Sequence, residues 1–237
     1  MKKYVISVSV VLILAAVGFY HYNSGSPTSD SAATASSQPS ALPAPQAPAQ
    51  GQPNEGYPFQ DTSMLKPPAG AKVAIYEFED LECPACAHAA PVVQAAAAHY
   101  KVPIERHDYP WTFHIWSFDA AVTARHIQDK ISPQLADTFR HDVFANQTRI
   151  ESKDDLTSFT RSWFQAHGQT MPFVIDPDGT CKKEVEADRA MGDRLGVKST
   201  PSIFVVTQSK WVPITDLSQL DSTLEDALAQ TGSRPAA

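Results

Sequence analysis

The chain has 237 residues, a formal net charge of −7 and 43% hydrophobic residues. Acidic balance without a dense Lys/Arg stripe excludes the electrostatic footprint of a nucleic-acid binder and mainly favours solubility. Three cysteines are too few for a disulfide-stapled scaffold, and the apolar content suffices for a core of ordinary size.

At the N-terminus, Lys2 and Lys3 precede YVISVSVVLILAAVGFY, 17 uncharged residues where an export signal belongs. The aromatics of AAVGFYHYN do not suit a signal peptidase, which takes small residues, and no cysteine follows for a lipid anchor. Residues 1–23 therefore read as an uncleaved single-pass signal anchor, in preference to a cleaved signal peptide. Residues 24–56, SGSPTSDSAATASSQPSALPAPQAPAQGQPNEG, have almost no large apolar side chains. Such a stretch cannot offset its chain entropy by burial, which predicts a disordered linker.

Residues 57–231 are predicted to form one α/β domain, with 232–237 a disordered tail. KVAIYEF (72–78) reads as a strand. PACAHAAPVVQAAAAHY reads as a helix that begins at Pro84, where the missing N–H costs little, and that Pro91 is predicted to kink. VPIERHDYP (102–110) is a second strand, so the order is βαβ with two cysteines at the helix start. Residues 112–168 form a helical insert. Ala120, Ala124, Ile127 and Ile131 line one apolar face, Leu135, Phe139 and Val143 another, and Leu156, Phe159 and Trp163 a third, after a capping box of Ser152 and Asp155. The chain returns as PFVIDPDG and then as a helix, CKKEVEADRAMGDRL, stopped by Gly196. PSIFVV (201–206) and KWVPIT (210–215) are adjacent strands, and a last helix carries Leu217, Leu220, Leu224 and Leu228 on one face. There is no internal repeat.

The chemistry concentrates at Cys83 and Cys86. A structural zinc needs four ligands, and only these two, His88 and a distant Cys181 are on offer. Covalent haem needs a histidine where Ala87 stands. A structural disulfide across so small a loop restrains the unfolded chain little. A redox pair fits best. A cysteine just ahead of a helix meets unpaired N–H groups and the positive end of the helix dipole, both of which favour thiolate over thiol. Cys83 is then the reactive sulfur and Cys86, one turn further in, its shielded partner. Neither a metal nor a cofactor is expected.

The stretch VAIYEFEDLECPACAHAAP, with the later VKSTPSIFV, resembles the DsbA-like thiol:disulfide oxidoreductases of the bacterial cell envelope. The resemblance rests on an ordered set: Glu77 six before Cys83, the pair Cys83 and Cys86 around Pro84 and Ala85, Pro91, Thr200 and Pro201, and a helical insert after the second strand. It implies a thioredoxin-like α/β fold with a helical insertion, a location on the periplasmic side, cysteine-containing exported substrates, and a redox partner that resets the pair. It also implies that the Thr200–Pro201 bond is cis, with the Thr200 backbone beside the cysteines; the alternative is a trans proline opening a strand. Glu77 matches the family's buried carboxylate, which relays a proton to the inner cysteine, although it also fits a solvated acid group with Glu79, Asp80 and Glu82. Pro84 and Ala85 depart from the Pro-His pair of strongly oxidising members, removing one stabiliser of the thiolate. A disulfide-forming oxidase remains the favoured direction, with a reductase or isomerase as runner-up and a non-catalytic binding module as the contrasting class.

Cys181 reads as a partly buried spectator at a helix start, in preference to a regulatory or interchain thiol. The histidines show no metal spacing. Trp111, Phe113 and Trp116 read as packing between insert and sheet, in preference to a hydrophobic substrate groove.

Overall fold

A computed structural model describes residues 64–233. The predicted anchor (1–23), the linker (24–56), residues 57–63 and the end of the chain from 234 lie outside the described residues.

Strand β1 (Val73–Glu79) leads into helix α1 (Pro84–Tyr100), which returns the chain to strand β2 (Ile104–Asp108). The pair β1 and β2 is parallel, and β1 also pairs antiparallel with β3 (Ser202–Thr207), which pairs antiparallel with β4 (Trp211–Ile214). The sheet order is β2-β1-β3-β4. Both central strands are buried along their whole length, which explains why they read as near-continuous apolar runs. On one face Val73 and Ile75 pack with Ala89, Val93 and Ala97 of α1 and with Leu220, Leu224 and Leu228 of helix α6 (Leu220–Gln230). On the other, Ala74, Tyr76 and Phe78 pack with Leu195, the last residue of helix α5 (Thr180–Leu195). Gly192 makes this close approach possible, because a Cβ there would stand 2.6 Å from Tyr109 Cδ2. Gly196, in the left-handed region at φ 77°, ends α5 as its position predicts.

The insert consists of α2 (Ser117–Lys130), α3 (Pro133–Asn146) and α4 (Lys153–Ala166). The three predicted apolar faces meet in one cluster, which also takes in Leu81 and Trp116. Ser152 caps α4 by accepting the Asp155 amide at 3.1 Å. Asp155 Oδ2 accepts the amide of Glu151 at 3.2 Å, one residue before the cap, so the capping box is displaced from its usual reciprocal form.

Helix α1 runs through Pro91 to Tyr100, with the proline ring exposed. One boundary differs from the sequence expectation. Strand β2 starts at Ile104 because Lys101 takes the left-handed conformation, φ 54°, and the Val102 amide bonds back to Ala97 O, so both residues finish the helix. PFVIDPDG forms turns and bends, with Phe173 fully exposed. Among the described residues, no helix is long and apolar enough to cross a membrane.

A buried charge network joins the insert to the sheet. Arg140 Nη1 donates to Glu79 Oε1 at 2.8 Å and to Asp108 Oδ1 at 2.6 Å, and Nη2 donates to Asp108 Oδ2 at 3.0 Å. Arg125 Nε donates to Asp108 Oδ2 at 2.7 Å, and Arg125 also pairs with Asp188 of α5.

Candidate active site

The site begins where β1 runs out. Cys83 closes a turn by donating its amide to Asp80 O at 3.0 Å, and it then serves as the N-terminal cap residue of α1, with φ −79° and ψ 120°. Pro84 occupies the first turn, and no side chain caps this helix end. The amides of Ala85 and Cys86 are consequently free to bond the Cys83 sulfur. Pro84 and Ala85 are exposed, Cys83 retains 9% exposure, and Cys86 retains none.

The two thiols are free and chemically unequal. A hydrogen bond from the Cys86 thiol is the largest cause pulling Cys83 down to about 5, and bonds from the Thr200 side chain and the Cys86 and Ala85 amides add to it against the opposing effect of burial. Burial, followed by the bond given to Cys83, pushes Cys86 far above the ordinary thiol range. The sulfur of Cys83 thus favours the anion and that of Cys86 the thiol.

The far side of the site comes from residues more than a hundred positions downstream. The Thr200–Pro201 peptide bond is cis, so the trans alternative does not hold. Cys83 Sγ donates to Thr200 O at 3.4 Å. Trp111 Nε1 donates to Thr200 Oγ1 at 3.0 Å. The aromatic cluster therefore divides. Trp116, 2% exposed, belongs to the insert core as packing predicts. Trp111 reaches the site, and Phe113, 70% exposed, stacks on it with ring centres 5.6 Å apart.

Sequence reading passed over the supports of this loop. Asp80, buried, accepts the Trp111 amide at 2.7 Å, the Ser117 hydroxyl at 2.5 Å and the Glu82 amide at 2.8 Å, and it bonds His114 Nδ1 at 2.7 Å. Its own amide donates to Cys86 Sγ at 3.4 Å. Gln147 Nε2 donates to Leu81 O and Cys83 O at 2.8 and 3.1 Å. The insert thus holds the cysteine loop through His114, Ser117 and Gln147.

A sequence model described as thioredoxin matches residues 62–226. The chain belongs to the thioredoxin family. No curated protein matches it in sequence. Among solved structures, this thioredoxin-family chain is similar to the thiol-disulfide exchange protein alpha-DsbA2 from Wolbachia pipientis. That match has 18% identity and a TM-score of 0.55, covering 68% of this chain and 84% of that one. Alpha-DsbA1 from the same organism matches at 14% identity and TM-score 0.58, covering 72% and 96%. A periplasmic thioredoxin-like protein from Salmonella enterica serovar Typhimurium matches at 18% and 0.54, covering 70% and 88%. At these identities the likeness is one of fold.

Within this thioredoxin-family domain, Glu77 is 1% exposed and its Oε1 has no hydrogen-bond partner among the described residues. Burial first, and then the charge of Glu79, push Glu77 up to about 8, with Arg106 and Arg140 opposing. The solvated alternative fails for Glu77, Glu79 and Asp80 alike, all of them buried. The charge of Glu79, which Arg140 also engages, adds a smaller upward push to that of burial on Cys86. Cys181 is fully buried at the second position of α5, deeper than predicted, and burial raises it to about 11. Asp129, Cys181 and Glu184 bring their ligand atoms within 4.8 Å of one another, among the described residues a group of three that includes neither Cys83 nor Cys86.

Proposed function

We propose that this chain is a thiol:disulfide oxidoreductase that exchanges disulfides with cysteine-containing exported proteins through Cys83 and Cys86, working as a disulfide-forming oxidase. The observation that carries the reading is the inequality of the two sulfurs at the mouth of α1, one partly accessible and made more acidic by its neighbours, the other sealed and made less acidic by burial.

Starting from the Cys83–Cys86 disulfide, a substrate thiolate attacks Cys83 Sγ. The Cys86 sulfur leaves and takes up a proton. A second substrate thiolate then attacks the substrate sulfur of the mixed disulfide and expels Cys83 as the thiolate. The substrate gains a disulfide, and the two electrons it loses reside in the Cys83–Cys86 dithiol. Stabilising the expelled Cys83 thiolate favours the reduced enzyme, which makes the disulfide a stronger oxidant and supports the oxidase direction even without a histidine at position 85. Glu77, buried on β1, is proposed to carry the proton for Cys86, and Thr200 and Pro201 to present backbone beside the attacked sulfur for an extended substrate segment. A redox partner must reoxidise the dithiol. The apolar composition of residues 1–23 supports placing the domain on the periplasmic side, tethered by that segment and the linker.

Oxidative refolding of a reduced substrate protein tests the reading. Cys83→Ser and Cys86→Ala are both expected to be inactive, because neither can form the Cys83–Cys86 disulfide from which exchange starts. A Cys83→Ser protein as active as wild type overturns the assignment. A reduction potential near the thioredoxin end of the range, about −270 mV, overturns the oxidase direction.

A further inference from the structure

Thr200 shows the Cys83 sulfur two groups of opposite character. Its carbonyl, 3.4 Å away, accepts from the thiol and has nothing to give a thiolate. Its side chain is among the groups that lower Cys83, and its hydroxyl, carrying one hydrogen on the residue whose carbonyl already meets the sulfur, is the group able to stabilise the anion. Whether it does so depends on where that hydrogen points, and a hydroxyl rotor turns to suit its other partners.

The other partner is fixed. An indole N–H donates and never accepts, so Trp111 Nε1, 3.0 Å from Thr200 Oγ1, uses the hydroxyl as an acceptor only. The Thr200 hydrogen is turned away from the indole. Trp111 is itself held: its amide is tied to Asp80 Oδ2 at 2.7 Å, Phe113 stacks on one side, and Tyr109 meets it edge-on with ring centres 5.1 Å apart.

We infer that Trp111 is a positioning residue for the reactive sulfur: its indole N–H holds Thr200 Oγ1 as an acceptor and thereby commits the Thr200 hydroxyl proton to the Cys83 thiolate. The inference rests on Cys83 being the redox sulfur. Donors from Trp111 to Thr200 to Cys83 point in one sense, so each polarises the next, and the arrangement ends on a negative charge only in the reduced protein. Once Cys83 is in a disulfide, the anionic acceptor is gone. Trp111 therefore acts on the balance between dithiol and disulfide without touching substrate.

The test follows the Cys83 thiolate by its ultraviolet absorbance during pH titration of reduced protein, for wild type, Trp111→Phe, Thr200→Ser, Thr200→Val and the Trp111→Phe/Thr200→Val double variant. Phenylalanine keeps an aromatic ring at the position and removes the donor. Thr200→Val is expected to make Cys83 about tenfold less acidic, the scale of one hydrogen bond to a charged group, and Trp111→Phe about threefold. Thr200→Ser should match wild type, and the double variant should be no worse than Thr200→Val. The threefold loss corresponds to a reduction potential lower by about 15 mV, at about 30 mV per tenfold for a two-electron couple. An unchanged titration in Trp111→Phe overturns the inference, as does a Trp111→Phe effect of equal size when Thr200 is already valine. If instead wild-type Cys83 titrates as an ordinary thiol and does not pair with Cys86 on oxidation, the redox reading itself falls, and with it this role.

Discussion

Glu82 accepts the backbone amide of Trp116 at 2.7 Å, so the residue just before Cys83 closes the N-terminus of the helical insert. It also accepts the amides of Ser117 at 2.9 Å and Ile115 at 3.2 Å. Trp116, at the cap position of α2, has no side-chain cap bond of its own, and a carboxylate is the charge best suited to those unpaired donors. Glu82→Ala is expected to lower the stability of the reduced protein by about 1 kcal/mol, the usual cost of losing a cap. Urea denaturation measures it, and an unchanged midpoint means that other contacts hold the insert.

The buried arginine gives a larger effect. Removing the guanidinium in Arg140→Met leaves Glu79 and Asp108 buried with like charges and one partner fewer. Breaking a buried pair in this way costs about 3–5 kcal/mol. Because Asp108 carries two of the three bonds, Arg140→Met with Asp108→Asn should recover part of the loss. Equal losses in the single and double variants would contradict this account of the network.

The acidity of Cys83 predicts a pH dependence. A thiol lowered from 9.0 to about 5 gives the folded dithiol a stabilisation that is fully present above pH 9, declines as pH falls, and is gone below about 5. The oxidised protein has no such thiol, while Glu77 titrates in both forms, so the difference between them isolates Cys83. Thermal unfolding of both forms from pH 5 to 9 should show the reduced protein gaining on the oxidised one as pH rises. A constant difference would mean that Cys83 is an ordinary thiol.

Glu77 predicts a trade between stability and rate. A carboxyl raised from 4.5 to about 8 costs the fold stability progressively as pH climbs through that interval, because the unfolded chain ionises first. Glu77→Gln should therefore be more stable than wild type at pH 7. If Glu77 carries the Cys86 proton, the same variant should exchange disulfides about a hundredfold more slowly, the low end for general acid–base catalysis. A stable variant with an unchanged rate would assign the proton transfer elsewhere, with Glu79 the next candidate.

What the sequence by itself determined is local. Apolar periodicity placed the strands and insert helices, and Pro84 and the two cysteines marked the start of α1. These features follow from repeat and spacing, which neighbouring residues set among themselves; that Thr200 and Pro201 meet the cysteines was implied by the family resemblance alone. Tertiary structure decided which polar side chains lose water. Glu77, Glu79 and Asp80 look like a hydrated acid run, yet all three are buried. Arg140 sits in an ordinary amphipathic helix but reaches Glu79 across 61 residues, and Trp111 reaches Thr200 across 89. A charge or an indole reads the same on a surface as in an interior. Only folding brings up the partner that makes its burial affordable, and with it the chemistry at Cys83.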